Sequence, residues 1–347
     1  MPKIAVIIPV FNKEKYIERC LNSIINQKYN SLLIILINDG SVDNTIKQIS
    51  KYKYYDNMVL ISQENRGQGA ARNMGINFLN YIQLNNKLPT KGQLENFSQK
   101  KINMLTLNAG VFNFKSVNYV VYLDADDRWN KNFITSIFSK YNDADLYWYH
   151  LSFLRKLKFN NQDIVSNSQL LARLKDYNVE YIFFSWGGVI KFEIASKLKF
   201  LEGVMHEDWL YALQLFELCS RVVCVTDPVY LYDSTSESVT RTATISKNPY
   251  SFLANISDKF SDTKTLLNYY NCYSAVVVNY LCLEQLRHID KVFDINLFEH
   301  LSPKLLEISA VKYNYIKELC IDPLNAKSIF EKTANFKLKM NMYNNDQ

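Results

Sequence analysis

The stretch Tyr119–Asp127, which reads YVVYLDADD, decides the fold class of this chain. Its first five residues form an apolar run with the length and composition of a buried β-strand. Three carboxylates, Asp124, Asp126 and Asp127, follow at once, so they lie where the strand leaves the core. In an open α/β sheet, ligands bind just beyond the carboxyl ends of the strands. The stretch therefore predicts a cleft lined by acids at one edge of a sheet.

The spacing of Asp124 and Asp126 indicates a cation site. Two carboxylates separated by one residue offer oxygen ligands to a hard cation such as Mg²⁺ or Mn²⁺, which in turn binds a diphosphate. Triplets of this kind are common, however, and Asp127 could equally cap a helix that the sequence predicts near Asn130. The neighbouring motifs have to decide between these interpretations.

Strands and helices alternate along the first part of the chain. Apolar runs predict strands at Ile4–Val10, Leu32–Ile37 and Val59–Ile61, and apolar spacing predicts helices at Ile17–Ile25, from about Asp43 and from about Gln68. This alternation predicts an α/β fold with right-handed crossovers and a mostly parallel central sheet flanked by helices. A polar, amide-rich stretch at about residues 80–116 interrupts the pattern and predicts a long loop, either functional or mobile.

Composition excludes several classes of protein. With 48% hydrophobic and 21% charged residues in 347, the chain has enough apolar side chains for a substantial core. A net charge of +6 without a dense Lys/Arg block favours an anionic ligand or membrane surface and argues against nucleic acid. The six cysteines lack metal-ligand spacing, and neither a signal peptide nor a membrane-length apolar run is present. The sequence therefore predicts a cytoplasmic protein.

Six motifs in order carry a resemblance to a known family. They are residues 7–12 (IIPVFN), 38–43 (NDGSVD), 65–73 (NRGQGAARN), 123–127 (LDADD), 186–190 (WGGVI) and 206–209 (HEDW). Together they resemble the inverting glycosyltransferases of family 2, which have the GT-A fold, over about residues 1–240. Two features depart from the family pattern: Asn38 stands where Asp is common, and the stretch at residues 80–116 has no counterpart.

The resemblance implies a UDP-sugar donor and a set of residues that bind it. Asp39 would accept a hydrogen bond from the uracil N3–H, although Asp in this position is also a common turn residue. Pro9, Phe11 and Asn12 would shape the base pocket, and Arg72 would lie near the base and ribose.

The resemblance also implies a Mn²⁺ or Mg²⁺ cofactor. Asp126 would be the direct metal ligand and Asp124 would lie nearer the ribose, with Ala125 between them in the donor-binding segment. The cation would assist departure of the UDP leaving group.

For the acceptor side, the resemblance implies that Asp208 is the general base and that Glu207 assists it. Glu207 would raise the pKa of the base by like-charge repulsion or hold an acceptor hydroxyl. An alternative interpretation is that both acids merely favour the positive end of a helix dipole.

These expectations combine into an organisation and a function. Residues 1–245 form the catalytic domain, with a nucleotide-sugar part at 1–128 and an acceptor part at 129–245, and residues 246–347 form a helical extension. The expected activity is inverting transfer from a UDP-sugar to a hydroxyl of a bacterial glycan or glycolipid, such as lipooligosaccharide, lipid-linked oligosaccharide or capsule. The alternatives are a polyprenyl-phosphate glycosyltransferase and a non-catalytic sugar-nucleotide-binding module. Basic residues in the extension, such as Lys332 and Lys337, form either a solvated helix face or a peripheral contact with anionic lipid.

Overall fold

A computed structural model describes residues 2–98, 101–108, 116–139, 143–149, 159–166, 185–200, 202, 207–208, 211, 215 and 218–233. The strands are β1 Ile4–Val10, β2 Leu32–Asp39, β3 Met58–Gln63, β4 Ile102–Asn108, β5 Tyr119–Tyr122, β6 Arg128–Trp129, β7 Leu146–Trp148, β8 Asp163–Ser166, β9 Gly188–Lys191, β10 Arg221–Cys224 and β11 Tyr230–Leu231. The helices are α1 Ile17–Ile25, α2 Thr45–Ser50, α3 Gln68–Asn85, α4 Lys91–Ser98, α5 Phe133–Ile137 and α6 Phe192–Ala195.

Nine of these strands form one mixed sheet in the order β4-β3-β2-β1-β5-β9-β7-β10-β8, and β6 pairs with β11 in a separate antiparallel ribbon. The neighbours β3, β2, β1 and β5 are parallel, as the sequence predicts. β4 and β9 are antiparallel to β3 and β5, so the sheet beyond this parallel centre is mixed. Because β1, β2 and β5 run in one direction, the residues that follow them meet at one edge.

The parallel centre is covered on both faces. All seven residues of β1 are buried, and their side chains alternate between two apolar clusters. Ile7 lies in the cluster that includes Met74 of α3, whereas Ile8 lies in the cluster that includes Leu21 of α1. Burying one such side chain contributes about 1.5–3 kcal/mol, so these two clusters hold the sheet edge in a fixed geometry.

The prediction of a long loop at residues 80–116 is wrong for most of that stretch. Helix α3 continues to Asn85, α4 follows, and β4 then pairs antiparallel with β3. Although this stretch is rich in amides, it contains two fully buried apolar residues, Leu94 and Ile102, which pack into the core beside α3. The insertion therefore adds a helix and an edge strand to the sheet.

Two further predictions concern membrane-spanning helices and the C-terminal extension. Among the described residues, none of the helices combines the length and apolarity that crossing a bilayer requires. The helical extension at 246–347 lies outside the described residues, and the boundary at residue 245 stays a prediction.

Gly75 allows α3 to approach β1 closely. A Cβ atom on Gly75 would lie 2.6 Å from Cγ2 of Ile7, whereas a Cβ atom on Gly92 of α4 would meet nothing within 4 Å. We expect Gly75→Val to lower the free energy of unfolding by about 1–3 kcal/mol because it overpacks the core. Gly92→Val is the matched control and should change stability by about 0.5 kcal/mol or less. Equal shifts in urea unfolding for the two variants would contradict this packing.

Candidate active site

Asp39, the last residue of β2, is buried beneath the loop that joins β3 to α3. Its carboxylate accepts hydrogen bonds from Gln63 Nε2 (2.8 Å), from the backbone N–H of Arg66 (3.0 Å) and from that of Gly67 (2.8 Å). Gly67 has φ +87°, a conformation that favours glycine. Burial raises the pKa of Asp39 to about 6, although these hydrogen bonds act in the opposite direction. Asp39 therefore both shapes the loop and titrates near neutral pH.

Gln63 is a neighbour of Asp39 that the sequence interpretation missed. Its amide nitrogen donates to Asp39, and its buried side-chain oxygen has no hydrogen-bond partner. A buried acceptor of this kind costs free energy until a donor reaches it. Its position at the end of β3, level with Asp39 across the parallel pair, is the signal that points to it.

The predicted base-pocket residues of the first strand lie at the same sheet edge. Pro9 is buried in β1 and Phe11 is half-buried just after it. Asn12 has φ +51°, its backbone N–H donates to Ser41 Oγ (3.0 Å), and its Oδ1 accepts from the Val42 N–H (2.9 Å). Asn12 therefore joins the loop after β1 to the loop after β2.

The two metal-ligand candidates each lie beside a protein cation. Asp124 Oδ1 accepts from Arg72 Nη2 at 2.9 Å, and Asp126 Oδ2 pairs with Lys13 Nζ at 2.7 Å. Ala125 between them is buried. Lys13 was missed by the sequence interpretation, although it directly follows the Asn12 motif.

Asp127 has a structural role and does not cap a helix. Its carboxylate accepts from Tyr230 Oη (2.6 Å) and from the Asp233 N–H (2.7 Å), which anchors the segment after β11. Burial, with the nearby charge of Asp124, raises the pKa of Asp127 to about 7. The helix expected near Asn130 begins at Phe133, and its N-cap Asn132 makes no side-chain capping bond.

Arg72 connects Asp124, just beyond the end of β5, to Glu207. It is 2% exposed, and its Nη1 donates to Glu207 Oε1 at 2.6 Å while its Nη2 donates to Asp124. The structure thus places Arg72 among acids; its expected approach to base and ribose stays a prediction.

Asp208 belongs to the same electrostatic cluster. Burial, followed by the charge of Glu207, raises the pKa of Asp208 well above its ordinary value, and Arg72 acts against both. Burial also raises the pKa of Asp124, again opposed by Arg72. Three carboxylates interact with one guanidinium here, so a bound cation would favour their ionised forms.

The donor set fits a cation held jointly by protein and ligand. Within the described ranges, no group of three or more His, Cys, Asp or Glu side chains could hold a metal ion. Asp124 and Asp126 would supply two hard oxygen ligands, the type that Mg²⁺ and Mn²⁺ prefer, and Mg²⁺ usually completes such a shell with phosphates and water.

Aromatic side chains lie beside the acids. Trp186 stacks on Tyr230 with ring centroids 4.5 Å apart, and Tyr232, 55% exposed, lies 6.1 Å from Trp186. Trp186 precedes β9, which pairs with β5. His206 and Trp209 of the HEDW motif lie outside the described residues.

Comparison with known proteins shows which family the first part of the chain resembles. Residues 5–80 match the family described as Glycosyl transferase family 2. This part of the chain therefore has the sequence pattern of that family. It is 26% identical over 259 residues to "Glycosyltransferase GlyA" of Streptococcus pneumoniae, covering 69% of this chain and 32% of GlyA. It is 23% identical over 285 residues to "Minor teichoic acid biosynthesis protein GgaA" of Bacillus subtilis, covering 76% of this chain and 56% of GgaA. The chain thus spans about a third of one relative and just over half of the other.

The solved structures confirm the expected fold. The chain resembles residues 1–349 of S. aureus TarS, solved in complex with UDP-GlcNAc, with a TM-score of 0.51 and 15% identity over 96% of this chain and 92% of that TarS fragment. The chain therefore has the GT-A fold. The match to the family at residues 5–80 includes Asp39 and Arg72, whereas Asp124, Asp126 and Asp208 lie beyond it.

Proposed function

We propose that this protein transfers a sugar from a UDP-sugar to a hydroxyl group of a bacterial glycan or glycolipid, with inversion at the anomeric carbon. The observation that carries the proposal is the direct link, through Arg72, between Asp124 of the D-x-D pair and Glu207, the neighbour of Asp208 on the acceptor side. A donor diphosphate near Asp126 would then lie within one charged cluster that also contains a base.

The donor base is bound at the carboxyl ends of β1 and β2. Asp39 accepts the uracil N3–H there, with Pro9, Phe11 and the Asn12 loop forming the wall. A carboxylate accepts this hydrogen bond well only while it is ionised. Because burial raises the pKa of Asp39 to about 6, the pocket is ready for uracil at neutral pH and loses this acceptor in mild acid.

We expect the affinity for uridine to fall about tenfold between pH 7 and pH 5, since a carboxyl group with a pKa of about 6 is then mostly protonated. Uridine is the probe because it lacks phosphates that titrate in this range. Binding is measured by calorimetry, with Asp39→Asn as the control, which should bind more weakly and with little pH dependence. If the affinity of the wild type for uridine does not change between pH 7 and pH 5, Asp39 does not bind the base.

The diphosphate binds next to the D-x-D pair. Asp126 and Asp124 would hold Mn²⁺ or Mg²⁺, and the bound cation would offset the charge that develops on the departing UDP. One unit-charge pair at ~4 Å contributes ~4 kcal/mol at an effective dielectric near 20, and a divalent ion doubles this. Lys13, which pairs with Asp126, adds positive charge at the same place.

The acceptor hydroxyl is activated by Asp208. As the hydroxyl oxygen bonds to the anomeric carbon, its proton passes to the Asp208 carboxylate and the bond to the UDP oxygen breaks on the opposite face. A raised pKa makes a carboxylate a better proton acceptor, provided that it remains ionised before the reaction. Glu207 contributes to this rise and is itself held by Arg72.

UDP-GlcNAc and polyol- or sugar-containing surface polymers are the first substrates to test. This choice follows from the UDP-GlcNAc bound to TarS and from the name of GgaA, a minor teichoic acid biosynthesis protein. Release of UDP is measured for a panel of UDP-sugars with hydroxyl acceptors and, separately, with polyprenyl phosphate. Turnover with polyprenyl phosphate alone favours a polyprenyl-phosphate glycosyltransferase, whereas UDP binding without any turnover favours a non-catalytic sugar-nucleotide-binding module. That the protein acts in the cytoplasm, at the inner face of the membrane, stays a prediction from the sequence.

A further inference from the structure

We infer that Arg72 is a positioning residue that holds the acceptor-side acids in register with the donor-side acid, so that the transfer step depends on its contacts with those acids. The inference rests on the proposed function. It assigns Arg72 a role in the chemical step, in addition to any contribution to donor binding.

The contacts of Arg72 are those of a rigid connector. Its two terminal nitrogens divide between Glu207, 135 residues away in sequence, and Asp124, 52 residues away. Nη2 also reaches Gln68 Oε1, one helical turn earlier, at 3.2 Å. The planar guanidinium presents its donors in a fixed fork, so the two acids that it binds are held at a fixed separation. A shift of either acid breaks a short, charge-assisted bond.

Aromatic packing fixes the guanidinium from the side. The ring of Phe200 lies 5.2 Å from Arg72 Cζ and stacks on Tyr211 with centroids 3.9 Å apart and an interplanar angle of 3°. Tyr211 lies one helical turn after Glu207 in sequence, and its hydroxyl meets that of Tyr122 at the end of β5. The same two regions that Arg72 joins by charge are thus also joined by ring contacts.

Burial separates a positioning role from direct catalysis. At 2% exposure, the Arg72 side chain lies beneath the acids and is shielded from an approaching acceptor. Three acids, Asp124, Glu207 and Asp208, interact with its charge. Without Arg72 these carboxylates would repel one another, and Glu207 and Asp208 would move relative to the anomeric carbon. A displacement of about 1 Å can lower a rate about 100-fold.

The test compares Arg72→Met and Arg72→Lys with the wild type in UDP release. We expect Arg72→Met to lower kcat about 100-fold at saturating donor and Mn²⁺, while the calorimetric affinity for uridine, which has no diphosphate, changes about threefold or less. Arg72→Lys keeps the charge without the fork and should recover part of the loss, to about 10-fold below the wild type. Lys51→Met, which removes the cation of an exposed ion pair with Glu18, is the control and should leave kcat unchanged.

Thermal melting separates the outcomes. A folded Arg72→Met or Arg72→Lys variant with wild-type kcat overturns the inference. So does a fall in measured turnover that matches the fraction of protein unfolded, because Arg72 would then serve stability alone. Failure of both variants to fold assigns Arg72 the same structural role. If the wild type releases UDP from none of the donors, the proposed function itself is overturned, and the inference about Arg72 falls with it.

Discussion

Replacing Asp208 by Asn is expected to abolish nearly all sugar transfer while leaving UDP binding intact. The amide is close to the carboxylate in shape but cannot take the proton of the acceptor hydroxyl as the new bond forms. General base catalysis contributes about 10²–10⁴-fold, so kcat should fall by that factor. Transfer is measured by UDP release with acceptor present, and binding by calorimetry with UDP.

The control for this substitution is Glu193→Gln, which changes an acid on the exposed side of α6. It should retain the transfer rate of the wild type. Near-normal transfer by Asp208→Asn would move the role of base to Glu207 or to another group. A large loss of UDP affinity would instead place Asp208 on the donor side of the cluster.

Replacing Asp126 by Ala is expected to remove the metal-dependent part of UDP binding. In the presence of Mn²⁺ we expect UDP affinity to fall about 100-fold or more, since losing even an indirect partner of a metal ligand costs about 10–100-fold. With chelator present, the wild type and the variant should differ much less. Calorimetric titration of UDP with and without Mn²⁺ gives both values.

Asp56→Ala is the matched control for that experiment, because Asp56 is an exposed acid in the connection between α2 and β3. It should bind UDP and Mn²⁺ as the wild type does. If Asp126→Ala retains metal-dependent binding, Asp124 is the sole direct ligand and Asp126 serves only to pair with Lys13.

The parallel centre of the fold was predictable from local pattern alone. β1 and β2 are buried on both faces, which a continuous apolar run such as Leu32–Ile37 indicates directly. The spacing of the apolar residues also indicates the buried face of α3, and the helix begins at Gln68, directly after Gly67. These elements depend on short-range periodicity, which a single sequence displays.

The insertion and the extra antiparallel strands were not predictable in the same way. β4 has a mixed composition and follows a stretch of amides and lysines, so its pairing with β3 depends on contacts rather than on pattern. The polar residues at 85–93 include Asn85, which ends α3, and Gln93, which bonds the backbone of Thr90. The polar composition therefore correctly indicated that many of these side chains are exposed, but it wrongly indicated a loop where the chain forms helices.

The location of the acids was predictable, but their partners were not. A strand that ends in Asp124-x-Asp126 places those carboxylates at the sheet edge by a general rule of α/β proteins. By contrast, the pairing of Arg72 with Glu207 joins residues 135 positions apart, and the bond from Tyr230 to Asp127 joins residues 103 positions apart. Such pairings arise only when the whole sheet is assembled.

A crystal structure of the protein with UDP and Mn²⁺ tests the proposed site most directly. We expect anomalous density for Mn²⁺ against Asp126, the uracil N3 within hydrogen-bond distance of Asp39, and the diphosphate on the side of the cluster that faces Asp208. UDP bound with its base away from Asp39, or Mn²⁺ with no contact to Asp124 or Asp126, would contradict it.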